Sequence, residues 1–341
     1  MKAKLLLKKM IALVLYRSGF VFKKIEECKR KQGFLLLMYH RINLPSDTIQ
    51  AGMYVEPDTF KMHIDFLAKH FRIISMFDLV KLFEKKDRIG KNDKPICSIT
   101  FDDGWKDFYD YGYPVLKSKN VPATVFLPTD FIGTTKQFWT DQLAEIILKS
   151  DIKSNVKSMN NEVLDVIVKI SNLKGYYEER LEKSIAILKN KKYSFIKKAI
   201  EEMAKIYQVD IENRDRSFLS WNEVSQLYKS GLISFGSHTH THQIMTTLNE
   251  REIEEELKVS KDKLNKLNII NQSFMPFCYP NGNYSDSIIR LVEGAGYDLA
   301  VTTKNGWNTT NTNRFRLKRI GIHQDMTSTL PLFFCKIASL L

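Results

Sequence analysis

Ile96-Cys97-Ser98-Ile99-Thr100-Phe101-Asp102-Asp103-Gly104 is an apolar run that stops in two adjacent carboxylates and a glycine. Its first six residues read as a buried strand. Neighbouring strand residues point to opposite faces, but at a strand's end the chain turns and both acids can reach one site. The carboxyl ends of parallel strands are where α/β folds carry their chemistry. Asp-Gly is also a common turn pair and Asp a common helix cap, so the stretch has a purely structural reading too. The residues alone do not separate the role of Asp102 from that of Asp103.

Six similar runs lie along the 341-residue chain: Phe34–Tyr39, Ala123–Leu127, Ile233–Phe235, Met275–Tyr279, Leu299–Thr302 and Ile320–Ile322. Helical patterns fall between most of them, at Asp58 to Lys69, Phe77 to Lys85, Trp221 to Lys229, Glu250 to Leu267 and Ser285 to Glu293. Strands alternating with helices predict parallel βαβ units, and seven such strands suggest a barrel or a large open sheet. From about Asp141 to Arg216 the alternation breaks into a Lys/Glu-rich stretch with helical spacing, as at Val163, Val166, Ile167 and Ile170. It reads as an insertion of three or four helices. Its thirteen acids and fifteen bases describe a solvated helical surface.

The net charge of +13 is unevenly placed. Residues 1–31 hold ten Lys/Arg and two acids, a balance of +8, which leaves +5 for the rest. A body so nearly balanced is not a nucleic-acid binder, which would show a basic stripe with aromatics. The apolar run Met10 to Tyr16 is followed by Arg17 and Lys23-Lys24 instead of a small-residue cleavage site, so the segment is not a clear secretory signal. No stretch reaches the ~18–20 apolar residues that span a bilayer. Two readings of residues 1–31 stand side by side: a basic amphipathic segment lying on a membrane, or a helix packed on the body with its lysines in water. The expected compartment is the cytoplasm or the periphery of a membrane. Residues 326–341 form an apolar tail with one charge, Lys336, expected to dock on the body. Cys28, Cys97, Cys278 and Cys335 make no CxxC pair, so neither a disulfide framework nor a cysteine zinc site is indicated.

Three of the seven histidines fall within Ser237-His238-Thr239-His240-Thr241-His242, directly after the strand at 233–235. Imidazole suits zinc and similar divalent cations, and two His with one carboxylate describe a catalytic site that keeps positions open for water. His240, in the middle of the run, reads as a surface loop residue. Phe277-Cys278-Tyr279-Pro280-Asn281-Gly282 takes another strand into a turn, where Tyr279, Pro280 and Asn281 make a candidate sugar-binding wall. His40 and His323 stand at further strand ends and are candidate general acids. His63 and His70 sit on a helical pattern and read as structural.

Together these stretches resemble the polysaccharide deacetylases, the NodB-homology domain of carbohydrate esterase family four. The matching pieces are Thr-Phe-Asp-Asp-Gly at 100–104, Ser-His-Thr-His-Thr-His at 237–242 and Phe-Cys-Tyr-Pro-Asn-Gly at 277–282. Leu37-Met38-Tyr39-His40-Arg41, Pro122 to Leu127 and Leu219-Ser220-Trp221 support them. The resemblance runs in order from Gly33 to Asp325, apart from the insertion. It implies a distorted (β/α)7 barrel over 32–325, metal ligation by Asp103, His238 and His242, and Asp102 as catalytic base. Zinc is the expected metal. The expected reaction is removal of N-acetyl groups from amino sugars of a polysaccharide or glycan precursor. The same site would serve an O-acetyl esterase or a deformylase acting on a lipid-linked sugar, and a non-catalytic sugar-binding protein is the alternative of a different class. Two departures stand out. Cys278 occupies a position where the family often has an Arg that orients the base. The late Leu-x-His motif is replaced by Gly321-Ile322-His323, which makes His323 the first choice for the acid and His40 the second.

Overall fold

The computed structural model describes residues 2–44, 53–85, 90, 93–149, 161–212, 215–266 and 274–340. Seven strands form the frame: β1 (Gly33–Tyr39), β2 (Ile96–Phe101), β3 (Ala123–Leu127), β4 (Ile233–Ser237), β5 (Pro276–Cys278), β6 (Leu299–Val301) and β7 (Ile320–Gly321). They are the seven read from the sequence, displaced at their ends by one or two residues. Neighbours from β1 to β6 pair in parallel and in chain order, and β7 returns to pair in parallel with β1. A single parallel bridge between Val301 and Leu317 joins β6 to the segment entering β7. The sheet therefore curls into a distorted seven-stranded barrel.

Strand alternation divides the side chains between two cores. Phe34, Leu36, Ile96, Phe126, Cys278, Leu299, Val301 and Leu317 belong to one cluster, lining the interior of the curl. Leu35, Leu37, Tyr39, Ile99, Phe101, Val125, Phe235, Phe277, Tyr279 and Ile320 belong to the other, between the sheet and its helices. The interior parity of β2 runs Ile96, Ser98, Thr100 and on to Asp102, whose N–H still donates to Tyr39 O at 2.9 Å as a strand residue would. Asp102 is thus the carboxylate that continues the inner face. Asp103 is where the chain turns, with φ of 72°, followed by Gly104 at 64°.

The helices in chain order are α1 (Lys2–Arg17), α2 (Phe20–Arg30), α3 (Pro57–His70), α4 (Met76–Lys85), α5 (Tyr113–Ser118), α6 (Trp139–Lys149), α7 (Glu162–Ser171), α8 (Tyr177–Leu188), α9 (Tyr193–Tyr207), α10 (Trp221–Lys229), α11 (Glu250–Lys266), α12 (Asp286–Gly294), α13 (Gln324–Thr327) and α14 (Leu330–Ile337). Helix α10 begins with a complete capping box, Ser220 and Glu223 exchanging side-chain and backbone bonds. Helices α6 to α9 bury Leu143, Ile146, Ile167, Leu188, Ile200 and Met203 in an apolar core of their own, separate from the barrel's two. Helix α14 packs between α1 and the barrel: Phe333 stacks on the buried His63 at 3.9 Å, and Cys335 Sγ reaches Ala12 O at 3.8 Å. Burial pushes the His63 imidazole down to about 4, so it is neutral, as befits a core residue.

Candidate active site

Three loops at the carboxyl ends of β2, β4 and β5 carry the site. Each contains left-handed non-glycine residues: Asp103 (φ 72°), Thr239 (64°), His242 (59°) and Asn281 (56°). Such backbone is costly and persists where surrounding bonds over-determine it. Around Thr239 and His242 those bonds are visible. Glu256, buried on α11, accepts from the N–H groups of His240 and Thr241 at 2.8 Å each and from Thr241 Oγ1. Thr239 Oγ1 accepts from the His242 N–H at 3.0 Å. The loop is thereby bent until His238 and His242 face the same point.

At that point Asp103 Oδ1 lies 3.4 Å from His238 Nε2 and 3.3 Å from His242 Nε2, and the two imidazole nitrogens are 3.3 Å apart. A tetrahedral cation with bonds of about 2.0–2.1 Å separates its ligands by about 3.3–3.4 Å, so the set fits one. The surroundings fix each ligand. Trp105 Nε1–H donates to Asp103 Oδ2 at 3.0 Å, leaving Oδ1 free to face the imidazoles. His238 Nδ1–H donates to Cys278 O at 2.8 Å, which directs Nε2 inward in the tautomer a metal needs. Phe138 stacks on the His242 ring at 4.3 Å. Burial opposes ionisation of Asp103, but the His238 and His242 imidazoles beside it prevail and hold it well below the usual carboxylate range.

Among the described residues a second trio, Asp102, His238 and Cys278, also converges closely enough to hold a cation. Its donors are already taken. Arg319 places Nη1 2.6 Å from Asp102 Oδ1, Nη2 2.7 Å from Oδ2, and Nη2 3.2 Å from Cys278 Sγ. A guanidinium bound to two of the three groups disfavours a second cation there, so the Asp103, His238 and His242 group is the one of the two that could hold a metal. Burial opposes ionisation of Asp102, but the charge and hydrogen bonds of Arg319 prevail and hold it below the ordinary carboxylate range. Asp102 is therefore ionised and oriented beside the Asp103–His238–His242 cluster.

The other candidates divide. His40 extends the inner face of β1 and lies with Nε2 3.9 Å from Asp102 Oδ2. His323 lies beside it, the two rings stacked with centroids 6.3 Å apart. Arg41 fixes the loop after His40 through a 2.6 Å bond to Asp107 and a stack over Trp105 at 4.5 Å. Burial pushes Asp107 up to about 6 against the pull of Arg41. His240 turns away from the ligands, toward Thr129 Oγ1 at 3.0 Å and Asp130 at 3.8 Å. The sugar wall expected at Tyr279, Pro280 and Asn281 needs correction. Tyr279 is 0% exposed and donates its hydroxyl to Phe315 O at 3.2 Å, and Pro280 is buried with it. Tyr279 has the parity of Phe277 and faces the helices, so neither ring meets a ligand; Asn281 is exposed. The residue that sequence reasoning missed is Arg319. Phe315, Leu317 and Arg319 are all buried, alternating with Arg314, Arg316 and Lys318, which are exposed or half-buried, and that alternation is the signal that marks Arg319 as a buried residue.

Comparison with known proteins adds an independent line. A family model described as "Polysaccharide deacetylase" matches residues 89–300. The chain is 23% identical over 320 residues to a poly-β-1,6-N-acetyl-D-glucosamine N-deacetylase of Staphylococcus epidermidis, covering 88% of this chain and 82% of that protein. It is 26% identical over 200 residues to the protein of the same description from Staphylococcus aureus, covering 55% of this chain and 68% of the other. Among solved structures, the Streptococcus pyogenes deacetylase PplD in complex with acetate superposes with a TM-score of 0.56 at 20% identity, over 86% of this chain and 94% of that one. The structure of IcaB from Ammonifex degensii gives 0.56 at 15% identity, over 91% and 97%. At these identities the structural matches speak for the fold.

Proposed function

The chain belongs to the polysaccharide deacetylase family, and on that footing we propose that it hydrolyses the N-acetyl amides of a polymer of β-1,6-linked N-acetylglucosamine. The observation that carries the reading is an ionised Asp102, pinned by Arg319, next to a converging Asp103–His238–His242 set. The cation is zinc: the two-imidazole, one-carboxylate set and its spacing suit a tetrahedral ion with an open position, whereas octahedral Mg²⁺ prefers oxygen ligands.

When bound, the cation polarises the acyl oxygen and lowers the pKa of water. Asp102 accepts the proton of the attacking water as its oxygen bonds to the acyl carbon. The carbon–nitrogen bond then breaks and His40 delivers a proton to the departing amine. We assign the second hold on the acyl oxygen to the backbone N–H of Asn281, in the loop after β5. We assign the acid to His40 rather than His323 because His40 Nε2 lies 3.9 Å from Asp102 Oδ2. An amine leaves poorly without a proton, so the acid matters more for an amide than for an ester.

The test measures acetate released from N-acetylated poly-β-1,6-glucosamine and from an O-acetylated glycan. Turnover of the first and little of the second is expected. His40→Ala should lower amide turnover by about 10²-fold, and His323→Ala by less. A preference for the ester, or a larger loss in His323→Ala, would overturn the corresponding assignment.

The same proposal includes peripheral attachment to an anionic membrane through residues 1–31. No helix among the described residues is long and apolar enough to cross a membrane. Helix α1 contains no acid, and its outward side exposes Leu6, Leu7, Met10 and Val14, each at 58–66%. Ala12 on its opposite side is buried against α14. An apolar stripe flanked by lysines suits the boundary between headgroups and acyl chains. Leu7→Glu/Val14→Glu is expected to abolish sedimentation with phosphatidylglycerol vesicles while leaving turnover of a soluble substrate unchanged. Undiminished binding by the double variant would remove the membrane role.

A further inference from the structure

Arg319 is 0% exposed and lies inside the barrel, where a lone guanidinium would be costly. All five of its N–H donors have a partner. Nε donates to Thr302 O at 2.9 Å, and Nη1 to Thr100 Oγ1 at 3.1 Å and Asp102 Oδ1 at 2.6 Å. Nη2 donates to Asp102 Oδ2 at 2.7 Å and Cys278 Sγ at 3.2 Å. Thr100 Oγ1 spends its own proton on Leu37 O, so it is an acceptor here. A planar fork so fully engaged sets both the position and the plane of the carboxylate it grips.

The second observation is at position 278. Cys278 Sγ lies 3.5 Å from the same Asp102 Oδ2 and 4.0 Å from His238 Nε2, and the residue is 0% exposed. A long side chain growing from 278 would enter the space that the Arg319 guanidinium fills. Strands β5 and the segment before β7 thus aim at one carboxylate from two sides, and there is room for one of them to reach it.

We propose that Arg319 is the positioning residue of the base Asp102, and that positions 278 and 319 are alternative hosts for a single guanidinium, 278 being kept small because 319 supplies it. The inference rests on Asp102 being the base.

The test uses the full-length, metal-loaded protein. Arg319→Ala is expected to lower kcat by about 10²-fold with little change in KM, the loss that follows when a catalytic group is misplaced by about 1 Å. Bound metal should be retained, and millimolar guanidinium chloride should restore part of the rate. Arg319→Lys should recover little, since an ammonium cannot hold both carboxylate oxygens in plane. Cys278→Arg alone should be impaired by crowding two guanidinium groups together. Cys278→Arg/Arg319→Ala should exceed either single variant in kcat, a reversal of sign that independent sites do not give. Three results would each overturn the proposal: loss of metal from Arg319→Ala, which would make the residue merely structural; no guanidinium rescue in a metal-loaded Arg319→Ala; or a folded double variant no faster than Arg319→Ala. If instead Asp102→Asn is as active as the wild type, the assignment of the base fails, whatever Arg319 does.

Discussion

Asp102→Asn is expected to lower kcat for acetate release by about 10²- to 10⁴-fold while the protein keeps its metal. The amide has the shape of the carboxylate but takes no proton at neutral pH. Its oxygen can still accept from Arg319 Nη1 in place of Asp102 Oδ1, the 2.6 Å bond. Its amino group then confronts Nη2, donor against donor, where the wild type has a 2.7 Å bond. The buried guanidinium loses half of its counter-ion's grip, so the variant should also melt at lower temperature. Removing a buried partner outright costs about 3–5 kcal/mol, and Asn, which keeps one bond, should cost less. Metal retention follows because Asp102 belongs to the trio that Arg319 already occupies and not to the Asp103 set. Asp103→Asn is the informative contrast, since it weakens the ligand set itself. Steady-state kinetics together with metal content decide the matter. A turnover within about tenfold of wild type in a metal-loaded Asp102→Asn would show that another group takes the proton.

The frame of the fold was legible because each strand is a short apolar or β-branched run set off by helical patterns, and a buried parallel strand can hardly look otherwise. The convergence of Asp103, His238 and His242 was legible because two chemical types suited to one ion sit at two strand ends. Period-two alternation, followed through the ends of the strands, would have revealed more. It carries Ile96, Ser98, Thr100 and Asp102 on one face and so separates Asp102 from Asp103. It also places Tyr279 with Phe277, outward among the helices, and Cys278 inward at the site, where the turn-based reading had put Tyr279. Arg319 was hidden for a different reason. In Arg314 to Arg319 four of six residues are basic, which reads as a solvated surface. Closure of the barrel, through the pairing of β7 with β1 and the Val301–Leu317 bridge, brings that segment beside β2, more than two hundred residues earlier in the chain. Glu256 was hidden likewise, as one acid among many on a charged helix whose inward turn depends on where α11 packs.

His238→Ala is expected to weaken divalent metal binding by more than the about 10- to 100-fold that follows loss of an outer-shell partner. His238 is at the centre of the set: its Nε2 lies 3.4 Å from Asp103 Oδ1 and 3.3 Å from His242 Nε2, while Nδ1 is anchored on Cys278 O. Removing it takes away a ligand and the strut that ties the β4 loop to β5. His240→Ala, two residues along, should leave affinity unchanged, because that ring is committed to Thr129 and Asp130. The comparison separates ligation from a general need for histidine in the loop. It can be read without activity. A ligand that binds only the folded state stabilises it by about 2.7 kcal/mol at a concentration of 100 times Kd. Zinc added to chelator-stripped wild type and His240→Ala should therefore raise the melting temperature, and the same zinc should leave His238→Ala unmoved. Equal shifts in all three proteins would mean that the cation binds elsewhere. The convergence of Asp103, His238 and His242 would then be a network of hydrogen bonds, and Asp102 would stand beside no metal.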